Sequence, residues 1–305
     1  MTVGWGDGGT AGRAGRISAL LVVFTIPLSP LPPVPLAAQS WRTITSARQA
    51  HGERELTVDV RYGAGRFTLT PGAAEELYRM DMRYDEERFT PVREFDADAG
   101  ALRLGLRSKD GRQGLRVALG DRRRNPQQPA FSLSLSPDIP LSLDLQLGAV
   151  EADVELGGLA LRRIHFATGA SATHLHFSSP NPMACEQLVL EAGAAQFDAA
   201  QIANANCGRV EFRGGVGEVT LDFGGTWRRS MTALVEVGIG ALNLRLPRDV
   251  GVSVRLNRFL ASFDAAGFEK RNNVYYSANY NSARYRLTMD VNASLGGIDV
   301  AWIDR

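Results

Sequence analysis

Lysine is almost missing from this chain of 305 residues: Lys109 and Lys270 are the only two. Lysine-based nucleophilic or Schiff-base chemistry therefore has very few candidates. Cysteine is as sparse, with Cys185 and Cys207 alone, and histidine occurs four times. No Gly-x-Ser-x-Gly elbow is present, no catalytic residue is assigned, and no cofactor is expected. An excess of one charge is lacking too, with 34 basic and 33 acidic residues. Setting aside Arg13, Arg16 and Asp7 leaves 32 of each, which argues against a nucleic-acid partner, since that needs a basic footprint. The one basic cluster, Asp121-Arg122-Arg123-Arg124-Asn125-Pro126, sits among turn residues and reads as a solvated loop.

What is present begins with a leader. Arg13 and Arg16 precede an apolar run from Ile17 to Ile26, and a proline-rich stretch then ends in Leu36-Ala37-Ala38-Gln39. This predicts a signal peptide over 1–38 with cleavage near Ala38, although Leu36 is not the ideal residue at −3. The apolar run is too short to cross a bilayer core of roughly 30 Å as a helix. No cysteine stands at the cleavage point to carry a lipid anchor, and no later segment suits a membrane helix. A secreted or periplasmic mature chain of 267 residues is expected, with no integral membrane segment.

The strongest internal signal is a glycine flanked by alternating apolar positions. Its copies are Leu143-Asp144-Leu145-Gln146-Leu147-Gly148, Ile164-His165-Phe166-Ala167-Thr168-Gly169, Leu188-Val189-Leu190-Glu191-Ala192-Gly193, Val210-Glu211-Phe212-Arg213-Gly214-Gly215 and Ala233-Leu234-Val235-Glu236-Val237-Gly238. The glycines lie 21, 24, 22 and 23 residues apart, and apolar residues usually return four and six positions beyond each. Two outliers share the pattern: one runs from Val58 to Gly63, and the other from Met289, with Ser294 in the glycine's place. Period two means a strand with one buried face, and a glycine between two such runs lets the chain bend where a Cβ would clash. Each copy is thus a strand, a glycine corner and a second strand. Such a unit cannot bury its apolar face alone, so copies must stack. The alternative is an antiparallel sandwich with glycine-rich turns.

The two cysteines lie eight residues before Gly193 and Gly215, in the same phase of adjacent copies. Stacked rungs put equivalent residues about 4.8 Å apart, inside the Cα window of a disulfide. Export meets an oxidising compartment, so a Cys185–Cys207 bridge is predicted over two buried thiols.

Upstream, alternating runs over 75–136, including Leu115–Leu119, are separated by turn signals such as Asp98-Ala99-Gly100 and Lys109-Asp110-Gly111, as in an antiparallel meander. Gly63-Ala64-Gly65-Arg66-Phe67-Thr68-Leu69-Thr70-Pro71-Gly72, followed by that meander and the glycine-corner copies, resembles the bacterial toast-rack domain of LiaF-like extracytoplasmic envelope-stress proteins and their adhesin-like β-repeat relatives. The resemblance covers nearly the whole mature chain and implies a fold but no catalytic residues. This chain departs from LiaF-like proteins in carrying a leader where they carry several membrane helices. The expectation is an all-β fold: an N-terminal toast-rack β-meander over 39–136, continuous with a β-solenoid-like stack of two-stranded rungs over 137–305, akin to a right-handed β-helix.

If the fourth and sixth positions after each corner glycine are buried, the fifth and seventh face solvent. His174 then sits between Asp153 and Asp198 on neighbouring rungs, with His176 beside Glu155. Two imidazoles among carboxylates can hold a divalent metal; the plainer reading is an exposed polar ladder. Tyr275, Tyr276 and Tyr280, within Asn272 to Asn281, suit either glycan or protein contact or a cap on the stack. A non-enzymatic binding, scaffold or stress-sensing module acting on an envelope protein or glycan is the expected function. The alternative is an envelope polysaccharide-active enzyme on a β-helix scaffold.

Overall fold

The computed structural model describes residues 40–109, 128–264 and 266–304. The expected leader, the basic run at 121–126 and the apolar alternation at 115–119 lie outside them. The described chain runs as β1 (Trp41–Gln49), β2 (Leu56–Pro71), β3 (Glu76–Asp85), β4 (Phe89–Asp96), β5 (Ala101–Ser108), β6 (Ala130–Leu135), β7 (Leu141–Glu155), β8 (Leu161–His176), β9 (Cys185–Ala200), β10 (Cys207–Asp222), β11 (Met231–Pro247), β12 (Gly251–Phe263), β13 (Phe268–Arg271), β14 (Val274–Ser277) and β15 (Arg286–Ile303). These strands form one sheet in the order β1-β3-β6-β2-β7-β8-β9-β10-β11-β15-β12-β14-β13, with the β4–β5 hairpin attached to β2.

Each predicted pair of short strands proves to be one bent strand of 15 to 17 residues with the corner glycine near its middle. Successive bent strands pair in parallel and in step on both arms. On the first arm Leu145, Phe166, Leu190, Phe212, Val235 and Val291 form one buried row across six strands. On the second arm Val154, Leu175, Ala199, Leu221 and Leu244 form another. The arms face each other: the Phe197 ring of one second arm lies 6.1 Å from Phe166 and 5.4 Å from Phe212 on neighbouring first arms. The connections close the open side of each bend with Leu156, Leu159, Phe177, Ile202, Phe223 and Trp227, all buried.

Buried backbone in those connections is satisfied by two asparagines. Asn181 Nδ2 donates to the carbonyls of Leu161 and Ala205 at 2.8 and 2.9 Å, while its Oδ1 accepts from the Leu161 and Met183 amides. Asn204 spans the next connections, donating to the Phe177 carbonyl at 2.7 Å and accepting from the Thr226 amide. Each side chain serves donors and acceptors that would otherwise be buried without partners.

The two outliers of the repeat are full members of the stack. β2 pairs in parallel with β7, and β15 with β11. The meander expected over 75–136 is only partly antiparallel. β4–β5, β1–β3 and β3–β6 are antiparallel pairs, but β5 and β6 run parallel to β2, one on each of its arms. They are two halves of one further rung laid on β2. At the far end, sequence order and spatial order part: β15 lies between β11 and β12, so β12 is the last bent strand.

The corner explains the glycine repeat. A Cβ built on Gly148 would stand 2.1 Å from the carbonyl oxygen of Gly63, and the later corner glycines meet their predecessors in the same way. By contrast, a Cβ on Gly208, at the start of β10, would meet only the Arg229 guanidinium among the described residues, at an ordinary 3.7 Å. Gly148→Ala is therefore expected to cost roughly 2 kcal/mol or more of stability, while Gly208→Ala stays within about 0.5 kcal/mol of the parent. Denaturant unfolding of the two variants side by side checks this.

Candidate functional site

The cysteines meet as their phase predicts. Cys185 and Cys207 are register partners on β9 and β10, with Cα atoms 4.2 Å apart and a formed disulfide. The bond sits where two first arms begin and ties adjacent rungs.

Outward-facing residues of the first arms form a continuous polar ladder. His165 Nδ1 lies 3.0 Å from Asp144 Oδ1 on one neighbour, and its Nε2 3.8 Å from Glu191 on the other. Arg213 reaches three carboxylates: Glu211 at 2.8 Å, Glu191 at 3.0 Å and Glu236 at 3.6 Å. Glu211 is buried yet fully engaged, accepting also from Arg209 Nε at 2.6 Å and Gln187 Nε2 at 3.0 Å. The ladder continues through Asn292, which donates to Glu236, and Asn257, which donates to Asn292. His165, left unassigned by sequence reasoning, is the residue that joins the β7 and β9 parts of this network.

On the second arms the register places His174 between Asp153 and Asp198, and His176 beside Glu155, as the columns predict. The imidazoles stack with ring centroids 6.4 Å apart. Glu155 Oε1 is occupied by the Gly157 and Ser178 amides at 2.5 and 3.1 Å. Among the described residues no three of His, Cys, Asp or Glu converge as metal ligands.

The three tyrosines do not share a face. Tyr275 packs edge-on against Phe263 at 4.9 Å and near Phe268, whose ring lies 5.0 Å from Trp302. Tyr276 points the other way and meets Tyr280 at 4.9 Å, with Arg271 and Arg286 over the two rings. The β13–β14 hairpin thus lays Phe268 and Tyr275 against Phe263 and Trp302 from the last second arms.

Sequence reasoning missed the corner itself as a surface. A second glycine lies two residues beyond the corner on β2, β10, β11 and β15, and Gly65, Gly217, Gly240 and Gly296 all have positive φ. Between the two positions a side chain is thrust outward. Val216, Ile239, Leu295 and Leu260 are register neighbours there, 46% to 63% exposed. The signal was legible at Val216 and Ile239 as Gly-x-Gly with an apolar middle residue, but not at Leu295 or Leu260, whose neighbours are Ser294 and Gly296 or Phe259 and Ala261. Beside this ridge, on the first-arm side, lies an open groove of about 650 Å³. Arg213, Glu236, Asn292, Asn257 and Phe259 line it, and Phe259 is 82% exposed.

Two outcomes follow from the ties described. The disulfide closes a loop of 22 residues, so reducing it, or Cys185→Ser with Cys207→Ser, should lower stability by about 3 kcal/mol in denaturant unfolding. Arg213→Ala removes the cation shared by three carboxylates and should cost about 1–3 kcal/mol, with Arg213→Lys recovering only part because an ammonium lacks the guanidinium fork.

Among curated proteins no relative matches the chain. Of solved structures, a candidate cell adhesion protein from Clostridium sporogenes is similar at 16% identity, with a TM-score of 0.43, over 87% of this chain and all of that one. A candidate adhesin from Bacteroides fragilis is similar at 12% identity, with a TM-score of 0.39, over 86% of this chain and 99% of that one. The family model described as "N-terminal domain of toast_rack, DUF2154" matches residues 37–193, just over half of the sequence. With bent rungs stacked in register behind that match, the chain belongs to the toast-rack family.

Proposed function

We propose that this chain is an exported, non-enzymatic binding and scaffold module of the cell envelope, and that the groove beside its corner takes an extended glycan. The observation that carries this is Phe259, a ring 82% exposed at the rim of an open groove. An exposed ring offers a flat apolar face to a sugar, and the amides of Asn257 and Asn292 beside it offer hydrogen bonds in both directions. The carboxylates nearby, Glu211 and Glu236, are held by Arg213 and by amide donors, so their part here is to fix the groove wall. Export is supported by the Cys185–Cys207 disulfide, a bond at home in oxidising compartments, together with the expected leader ending near Ala38. Sensing of envelope stress would act through the same binding event.

The test is binding of the purified protein to a panel of immobilised envelope glycans. Retention by one glycan class is expected, with Phe259→Ala weakening it about tenfold or more while the unfolding midpoint stays put. Release of reducing ends from any glycan would move the assignment to a polysaccharide-active enzyme. Retention that ignores Phe259 would remove the groove from the reading.

A further inference from the structure

A bent sheet is continued around its corner only by a strand bent in the same way, whereas straight strands such as β5 and β6 follow one arm of β2 each. β2, β7, β8, β9, β10, β11 and β15 are all paired on both sides. β12 is different. One side lies along β15 from Gly251 to Phe263, while the other meets β14 only at Ser253, Val254 and Arg255. Residues 256–263 therefore present an outer edge that no described strand covers, and the bend at Phe259 and Leu260 lies at the centre of this run. Alternate residues of such an edge carry unpaired N–H and C=O groups, a template for another strand. The usual guards are thin here. Arg258 turns back to donate to the Ala261 carbonyl at 3.0 Å, and the two residues at the bend are Phe259 and Leu260, 82% and 63% exposed.

We propose that this edge pairs with the same edge of a second copy, β12 against β12 antiparallel about a two-fold axis at the bend. The free run is symmetric about its own corner, so the rotation lays the first arm of one copy on the second arm of the other. The corner of one then follows the corner of its mate. Phe259 of one copy comes opposite Leu260 of the second, and Leu256 comes opposite Phe263. A straight peptide follows one arm and must leave at the corner. Among the described residues, the only other strand with this bend and a free edge is β12 of another molecule. The contact is isologous and closes at two copies, so it ends an edge that would otherwise recruit chains without limit.

Near the two-fold axis Leu260 approaches its own counterpart, which sets the experiment. Sedimentation velocity of the purified protein over about 1–100 μM should show a monomer–dimer equilibrium. Leu260→Glu and Leu260→Lys, each alone, should weaken it at least about tenfold by like-charge repulsion across the axis, and an equimolar mixture should recover a mixed dimer close to parental strength. Leu260 is exposed, so the unfolding midpoint of each variant should match the parent. A monomer throughout the range overturns the proposal, including a monomer that instead floats with anionic vesicles through Leu260. So does a dimer unchanged by either charge, or a mixture no stronger than the single variants. Leu260 lies outside the groove lining, so glycan retention by these variants separates failure here from failure of the groove reading.

Discussion

The structure depends on how closely the backbones approach at the corner. Strands in a sheet lie about 4.8 Å apart, and a bend in each narrows the inner side of the turn until there is no room for a Cβ. At Gly148 the missing Cβ would stand 2.1 Å from the carbonyl oxygen of Gly63; at Gly240 it would stand 1.8 Å from that of Gly217. The second contact is combined with a φ of 142° that side chains rarely adopt. The first column runs from β2 through β7 to β11, and the second recurs on β2, β10, β11 and β15, so the rungs bend at the same height. Because the bend is shared, the two arms keep their register and their inner faces oppose each other along the whole stack. Core, ladder and ridge all inherit their alignment from it.

That alignment makes neighbours of residues more than twenty positions apart, and it does so repeatedly. On the inner face the result is rows of Leu, Val and Phe that need only be apolar and of suitable size, since each packs against similar residues above, below and across. On the outer face the same spacing sets charges in rows. Opposite signs on adjacent rungs, as at Glu191, Arg213 and Glu236, give a ladder of contacts weak one by one. The exception is Glu211, which is buried and carries three donors. A charge so placed is tolerable because alternation sets Arg209 and Arg213 on either side of it along β10, and the parallel register brings Gln187 from β9.

Much of this was legible in the chain before any coordinates. Glycine spacing predicted the rungs, the phase of Cys185 and Cys207 predicted the bridge, and alternation predicted which columns face out. What was hidden depends on events outside a single copy. Nothing in the period-two pattern of Ala101–Ser108 and Ala130–Leu135 distinguishes a hairpin from two half-rungs, because strand direction leaves no mark on side-chain alternation. Nor could spacing reveal that β15 would enter between β11 and β12, since its corner sequence fits any place in the stack. The groove escaped notice for a related reason. Arg213, Glu236, Asn292 and Asn257 each read as ordinary wet-face residues of separate strands, and only the shared register lines them up beneath Phe259. His174 and His176 show the converse: their register beside Asp153, Asp198 and Glu155 followed from the columns alone.

The order of strands at the far end has its own logic. Without β12 beside it, β15 would be an edge along its entire length of 18 residues. With β15 inserted between β11 and β12, the fold pairs it on both sides and leaves the edge to β12, which is followed directly by the β13–β14 hairpin. That hairpin can then be used as a cover. It pairs with the first arm of β12 and packs Phe268 and Tyr275 against Phe263 and Trp302. Four-residue strands are too short to follow β12 around its corner as well. The cover therefore stops where the bend begins. A stack of bent rungs can bury its faces by repetition, but a straight hairpin cannot finish its end, and the uncovered corner of β12 follows from that mismatch of shape.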